Sequence, residues 1–174
     1  GNGSSARAVD DLARRLVDAY RRDGHLEADL DPLGLSGRQP VAELAALRHA
    51  VEPLGEVSAH WSLGGETQSG PLGALAAKLA GLYAGTCTLQ GGHIDDGEAR
   101  RWIHEEYERV SAGALDVTAL ERTCEAVALA DEFEAFVKTK YPTKKRFGIE
   151  GSEGSVVVLR EVLRHAALAG CGEA

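Results

Sequence analysis

Cysteine is scarce: Cys87, Cys124 and Cys171 are the only three in 174 residues, far apart and without a CxxC pair. That argues against a disulfide framework and a cysteine zinc site, and makes reduced thiols in a cytosolic-type compartment the expectation. Long apolar runs are also missing. The richest stretch, residues 70–85, is interrupted by Lys78 and several glycines, short of the ~20 apolar residues a bilayer span needs. The opening GNGSSARAVDDLARRL has no apolar signal core and no cleavage site, and residues 1–5 read as a frayed or foreign end. Positive charge is in deficit, with 19 bases against 27 acids and a net charge of −8. A field of that sign repels phosphate backbones and disfavours non-specific nucleic-acid binding. The expectation is an acidic, soluble, intracellular protein with neither nucleic acid nor membrane as its partner.

What is present suits a folded chain. Hydrophobic residues make up 44% and charged ones 26%, and a chain of this length buries roughly 70% of its unfolded surface. Val9, Leu12, Ala13, Leu16, Val17 and Tyr20 recur at helical spacing, with arginines including Arg21 and Arg22 opposite them. This predicts a helix over 6–23 that Gly24 ends. Residues 25–40 read as an ordered connection and 41–51 as a second helix. The span Gly55–Gly70 has no clear period, and GGETQSG (64–70) is its softest part. Pro71 opens a helix to Gly85. Asp95 and Glu98 resemble a capping box ahead of a helix over 97–110 that faces inward through Ala99, Trp102, Ile103, Glu106, Tyr107 and Val110. A long helix over 117–140 would bury Leu120, Val127, Leu129, Phe133, Phe136 and Val137, and Pro142 ends it. FGIEG (147–151) suggests a short strand, and 154–169 a last helix. The class is mainly α: a helical bundle with little or no sheet.

Several chemical signatures fail on inspection. Gly65 and Gly70 have P-loop spacing, but Pro71-Leu72 follows where Lys and Ser/Thr must stand. Asp29, Asp31 and Gly34 mimic the start of a calcium loop, yet Leu33 and Pro40 occupy ligand positions. His104-Glu105 is no zinc-protease motif, because Glu108 stands where the second histidine belongs. Neither a nucleophile elbow nor a dinucleotide fingerprint is present, so an independent hydrolase or metal enzyme has little behind it. KTKYPTKKRF (138–147) gathers five cations in an acidic chain. Lys138 and Lys140 suit a helix C-terminus, which leaves Lys144, Lys145 and Arg146 for an anion or partner. His25, among acids in GHLEADLDPL, is a polar tie or a ligand contact.

Three phrases, in this order, carry a resemblance: AYRRDGHLEADLDPLG (19–34), LYAGTCTLQGGHIDDGEARRWIHEEYE (82–108) and ADEFEAFVKTKYPTKKRFGIEGSEGSVVVLREVLRHAALAG (130–170). Over about residues 9–170 the chain resembles the N-terminal part of the thiamine-diphosphate-dependent decarboxylase component of 2-oxoglutarate dehydrogenase and its 2-oxoadipate-acting relatives. It departs from the family pattern at Asp23, Ala84, Gln90-Gly91-Gly92, Gly148 and Ser152, as a divergent member would.

The resemblance implies a helical domain over 6–142, then a connector and the first helix of an incomplete α/β thiamine-diphosphate-binding domain over 143–174. It implies that thiamine diphosphate and Mg belong to the parent enzyme and that this chain holds no cofactor. The GDG…N diphosphate motif, the substrate-facing histidines and the glutamate that activates the coenzyme are absent from these residues, so the chain alone is expected to be inactive. Expected partners are the remaining α/β domains or a separately encoded chain carrying them, the acyltransferase component, or a second copy. Residues expected to contact an anion or a partner are Lys145 and Arg146, with His25 behind them; no catalytic, cofactor-binding or metal-binding residue is assigned. The compartment would be the cytoplasm, or the mitochondrial matrix in a eukaryote. The alternative is a stand-alone helical interaction module derived from the family.

Overall fold

The computed structural model describes residues 2–35, 37–111, 116–145, 148–149 and 151–172. The chain forms two compact units, Gly1–Gly113 and Ala114–Ala174. Among the described residues it is mainly α, with one two-stranded sheet.

In the first unit, α1 (Asn2–Asp23) starts earlier than its apolar stripe suggested, so residues 2–5 are helical rather than frayed. Val9, Ala13, Leu16, Val17 and Tyr20 are buried on one face, the face that the 3.6-residue period defines. A 3-10 turn (Gly24–Glu27) and an irregular segment lead to α2 (Ala42–Val51), which buries Leu44, Leu47 and Val51. Then come β1 (Ser58–Leu63), β2 (Glu66–Pro71) and α3 (Leu72–Tyr83). The strands are antiparallel, with Leu63 paired to Glu66 and Ser58 to Pro71. Ala59, Trp61 and Leu63 point into the core while their neighbours stay exposed, the alternation of a strand with one face packed.

This hairpin replaces the aperiodic stretch expected over 55–70. Gly64 and Gly65 have φ of +64° and +79°, so the supposed soft point is a two-residue turn that needs both glycines. α4 (Gly97–Ser111) is capped by Asp96 rather than Asp95: Asp96 Oδ1 accepts from the Glu98 and Ala99 N–H groups at 2.9 and 3.3 Å. Its buried side chains are His104 and Glu108, whereas Trp102 and Val110 are 63% and 64% exposed. The inward face expected for this helix is therefore displaced and polar.

The second unit holds α5 (Val117–Lys140) and α6 (Gly154–Leu168). Asp116 caps α5 by accepting from Thr118 N–H at 3.0 Å. Ala126 alone is buried among its described side chains; Leu120, Leu129, Phe133 and Phe136, expected inside, are exposed. Two helices do not supply enough surface to cover an apolar stripe on each. Gly148, Ile149 and Gly151 belong to no strand, and the rest of FGIEG lies outside the described residues.

Gly24 stands directly after α1, which ends at Asp23 as the sequence suggests, and it does so without a left-handed φ. It lies at the close approach of α1 and α3, where an added Cβ would sit 2.5 Å from Tyr83 Cβ. Gly24→Ala should destabilise the first unit by about 1–3 kcal/mol. Gly37→Ala, in open space, should change the urea midpoint little; equal midpoints for the two variants would refute the packing account.

Candidate functional site

The first unit closes around one buried carboxylate. The Glu108 side chain is wholly buried, and four donors converge on it. Arg21 Nε donates to Oε1 at 2.7 Å and Arg21 Nη2 to Oε2 at 2.8 Å. Gly64 N–H donates to Oε2 at 2.7 Å, and the Tyr83 hydroxyl to Oε1 at 2.7 Å. The three donor residues come from three different elements: α1, the hairpin turn and α3 all meet α4 at one side chain. The Arg21 fork matches a carboxylate with two parallel N–H···O bonds.

Electrostatics follow from that geometry. Burial alone would push the Glu108 carboxyl up, but Arg21, the Gly64 N–H and the Tyr83 hydroxyl together hold it below the usual 4.5. Burial, reinforced by the Glu108 charge, raises the Tyr83 phenol. His104, 4% exposed, has its Nδ1 3.2 Å from the Tyr83 oxygen. Because Tyr83 spends its only proton on Glu108, Nδ1 must donate and Nε2 keeps a lone pair. Burial and then the nearby Arg21 charge lower the His104 pKa below 6.5, so the imidazole is neutral.

A second tie holds the 3-10 turn to α2. Glu27 accepts from Val41 N–H at 2.7 Å and from Arg48 at 2.6 and 3.1 Å. Arg48 Nη1 also reaches the Tyr20 hydroxyl at 3.4 Å. Asp31 Oδ1 accepts from Leu33 N–H at 3.0 Å, an Asx turn rather than a calcium ligand. Among the described residues no group of three or more His, Cys, Asp or Glu side chains could hold a metal, and no helix is long and apolar enough to cross a membrane.

His25 stands in the 3-10 turn of the first unit, half-buried, with Nδ1 buried and unpartnered. Within its phrase the polar tie belongs to Glu27. Lys145 is exposed in the second unit, and Arg146 lies outside the described residues. Sequence reasoning placed Arg21 on a solvated face and noticed Glu108 only as a missing histidine. Their side chains meet across 87 positions, and helical spacing alone carries no sign of that pairing.

Both buried ionisable groups make acid unfavourable. His104 has a folded pKa below its unfolded value, so its contribution is complete above pH 6.5 and fades as pH falls below it. Glu108 likewise contributes fully above 4.5 and is lost as pH falls through its depressed folded value. Stability should therefore decline in two steps on acidification, and His104→Gln should remove the upper one; an unchanged slope below pH 6.5 in that variant would contradict the assignment. Tyr83→Phe should cost about 1–3 kcal/mol at pH 7 in urea melts, because it removes a donor from a buried carboxylate.

Comparison with known proteins gives the site its context. No family profile matches the chain. It is 35% identical over 152 residues, 87% of its length, to the "Probable 2-oxoadipate dehydrogenase complex component E1 homolog" of Caenorhabditis elegans. It is 31% identical over 167 residues to the 2-oxoglutarate dehydrogenase E1 component of Haemophilus influenzae, and 28% over 171 residues to the 2-oxoadipate dehydrogenase complex component E1 of Mus musculus. The matches cover 91% and 97% of this chain respectively. The chain is a homologue of a segment of these E1 components and spans only 16–18% of their length.

Proposed function

We propose that this homologue of a short E1 segment is the N-terminal helical part of a 2-oxoglutarate dehydrogenase-like decarboxylase, and that its role is to support the catalytic domains rather than to react. The parent enzyme would oxidatively decarboxylate 2-oxoglutarate or a close dicarboxylic 2-oxo acid and pass the acyl group to a lipoyl-lysine of the acyltransferase component. Thiamine diphosphate with Mg would supply the carbanion chemistry there. In this reading 143–174 is the connector and first helix of the α/β domain that binds the coenzyme. The compartment is that of the parent: the cytoplasm in a bacterium, the mitochondrial matrix in a eukaryote.

One observation carries the reading. Val158, Leu159, Val162 and Leu163 of α6 are 53–62% exposed, as are Leu129, Phe133 and Phe136 of α5 at 55–70%. Apolar surface at this density on neighbouring helices marks a face made to be covered. Covering a leucine side chain fully is worth about 1.5–3 kcal/mol. The α/β domains of the parent are the cover that kinship supports, with Lys145, Arg146 and His25 the candidate contacts for an anionic group of ligand or partner. The first unit, whose buried carboxylate is already paired, acts as a rigid shoulder.

An antibody to the chain tests this in extracts of its source. A polypeptide several times larger than 18.4 kDa, co-eluting with thiamine-dependent oxidation of a 2-oxo acid, is expected. A species of 18.4 kDa free of that activity would favour the interaction-module alternative. Turnover of 2-oxoglutarate by the purified chain alone would refute the supporting role.

A further inference from the structure

A cleft of about 550 Å³ lies between α1 and α4 of the first unit. Arg21 and Arg22 of α1 and Arg100, Arg101 and His104 of α4 form its walls, with Asp18 the one carboxylate. Four guanidiniums around one opening are unexpected in a chain of net charge −8. Two of them are compensated: Arg21 by Glu108, and Arg22 by Asp23 and Glu43. Arg100 commits Nη1 to the Ile94 carbonyl, which is neutral. Arg101 is exposed and has no hydrogen-bond or ion-pair partner among the described residues. Asp18 leans toward Arg14, at 3.5 Å.

His104 adds a feature that a mere basic patch lacks. Its Nδ1 is committed to the Tyr83 oxygen, so the Nε2 lone pair is the atom left for the cleft. Gly91 packs close to that nitrogen, and a Cβ there would crowd it, at 2.8 Å from Nε2. The cleft thus offers two uncompensated cations and one fixed neutral acceptor.

We infer that this cleft binds a small phosphate ester bearing a hydroxyl group. Arg100 and Arg101 take the phosphate, whose charge of about −1.5 to −2 at pH 7 matches two guanidiniums, and the planar fork suits its oxygens. His104 Nε2 accepts a hydrogen bond from the hydroxyl of the same molecule. The volume exceeds what an inorganic ion fills, which favours an ester over free phosphate. This site is independent of the E1 reading, since it uses only groups within the first unit.

Titration of the isotope-labelled full chain with glycerol 3-phosphate, inorganic phosphate and glycerol, followed by magnetic resonance, tests it. Glycerol 3-phosphate should shift the His104 Nε2 and Arg101 Nε–H signals saturably and bind at least fivefold tighter than phosphate, and glycerol alone should do neither. Arg100→Ala with Arg101→Ala should weaken binding at least tenfold, whereas Lys144→Ala should leave it unchanged. Gly91→Ala should bring the ester down to the affinity of phosphate. Arg101→Ala alone, at an exposed position, keeps the test valid if the other variants fold poorly. Non-saturating shifts, or wild-type affinity in the arginine variants, would overturn the site; equal binding of ester and phosphate would overturn the role of His104.

Discussion

A carboxylate removed entirely from water must be met by donors, and in this protein the requirement is met from three other elements at once. Glu108 of α4 is wholly enclosed and takes two bonds from Arg21, one from Tyr83 and one from the turn amide of Gly64. Replacing a buried ion pair by well-fitted apolar side chains is often neutral or favourable, but removing one partner is not. The pair therefore acts chiefly as a constraint on arrangement. It sets where α4 lies against α1 and α3 and fixes the tip of the hairpin, while Leu16, Leu44, Leu63, Leu72 and Leu79 contribute non-directional burial.

The two units treat apolar surface differently. The first encloses a core in which Tyr20, Leu75 and Tyr83 are at most 1% exposed, and its buried carboxylate is paired. The second leaves the phenylalanines of α5 and the valines and leucines of α6 open to solvent. A unit with a closed core followed by an under-covered helical pair is what the proposed supporting role would require, and the chain is kin to about a sixth of the E1 components.

Much of the helical content was legible in the sequence because apolar residues at i, i+3 and i+4 leave few other conformations. The stripe from Val9 to Tyr20 and the leucines of α3 appear where the period placed them. The hairpin has one local sign in the sequence, Gly64-Gly65 directly after the polar–apolar alternation SAHWSL, while the second strand ETQSGP carries none. A glycine pair marks a soft loop and a tight turn alike, and here it supplies the positive φ that a tight turn needs. α5 shows another limit: periodicity reveals that Leu129 and Phe133 require a cover, not whether the same chain provides it. Of the candidate site, His25 was noticed for its acidic surroundings, but neighbouring Glu27 makes the ties. The Arg21–Glu108 pair had no sequence signature, since a charge on a helix is usually solvated and only the fold brings these two together.

The central claim is that Arg21 and Glu108 act as a single unit in holding the first unit's elements in place. A double-mutant cycle measures this most directly, using urea unfolding at pH 7 of Arg21→Ala, Glu108→Ala and the pair. Coupling of about 2–3 kcal/mol is predicted, within the range for residues that share one network, with the double variant more stable than the two single losses summed would allow. Additive losses, with coupling below about 0.5 kcal/mol, would contradict the account.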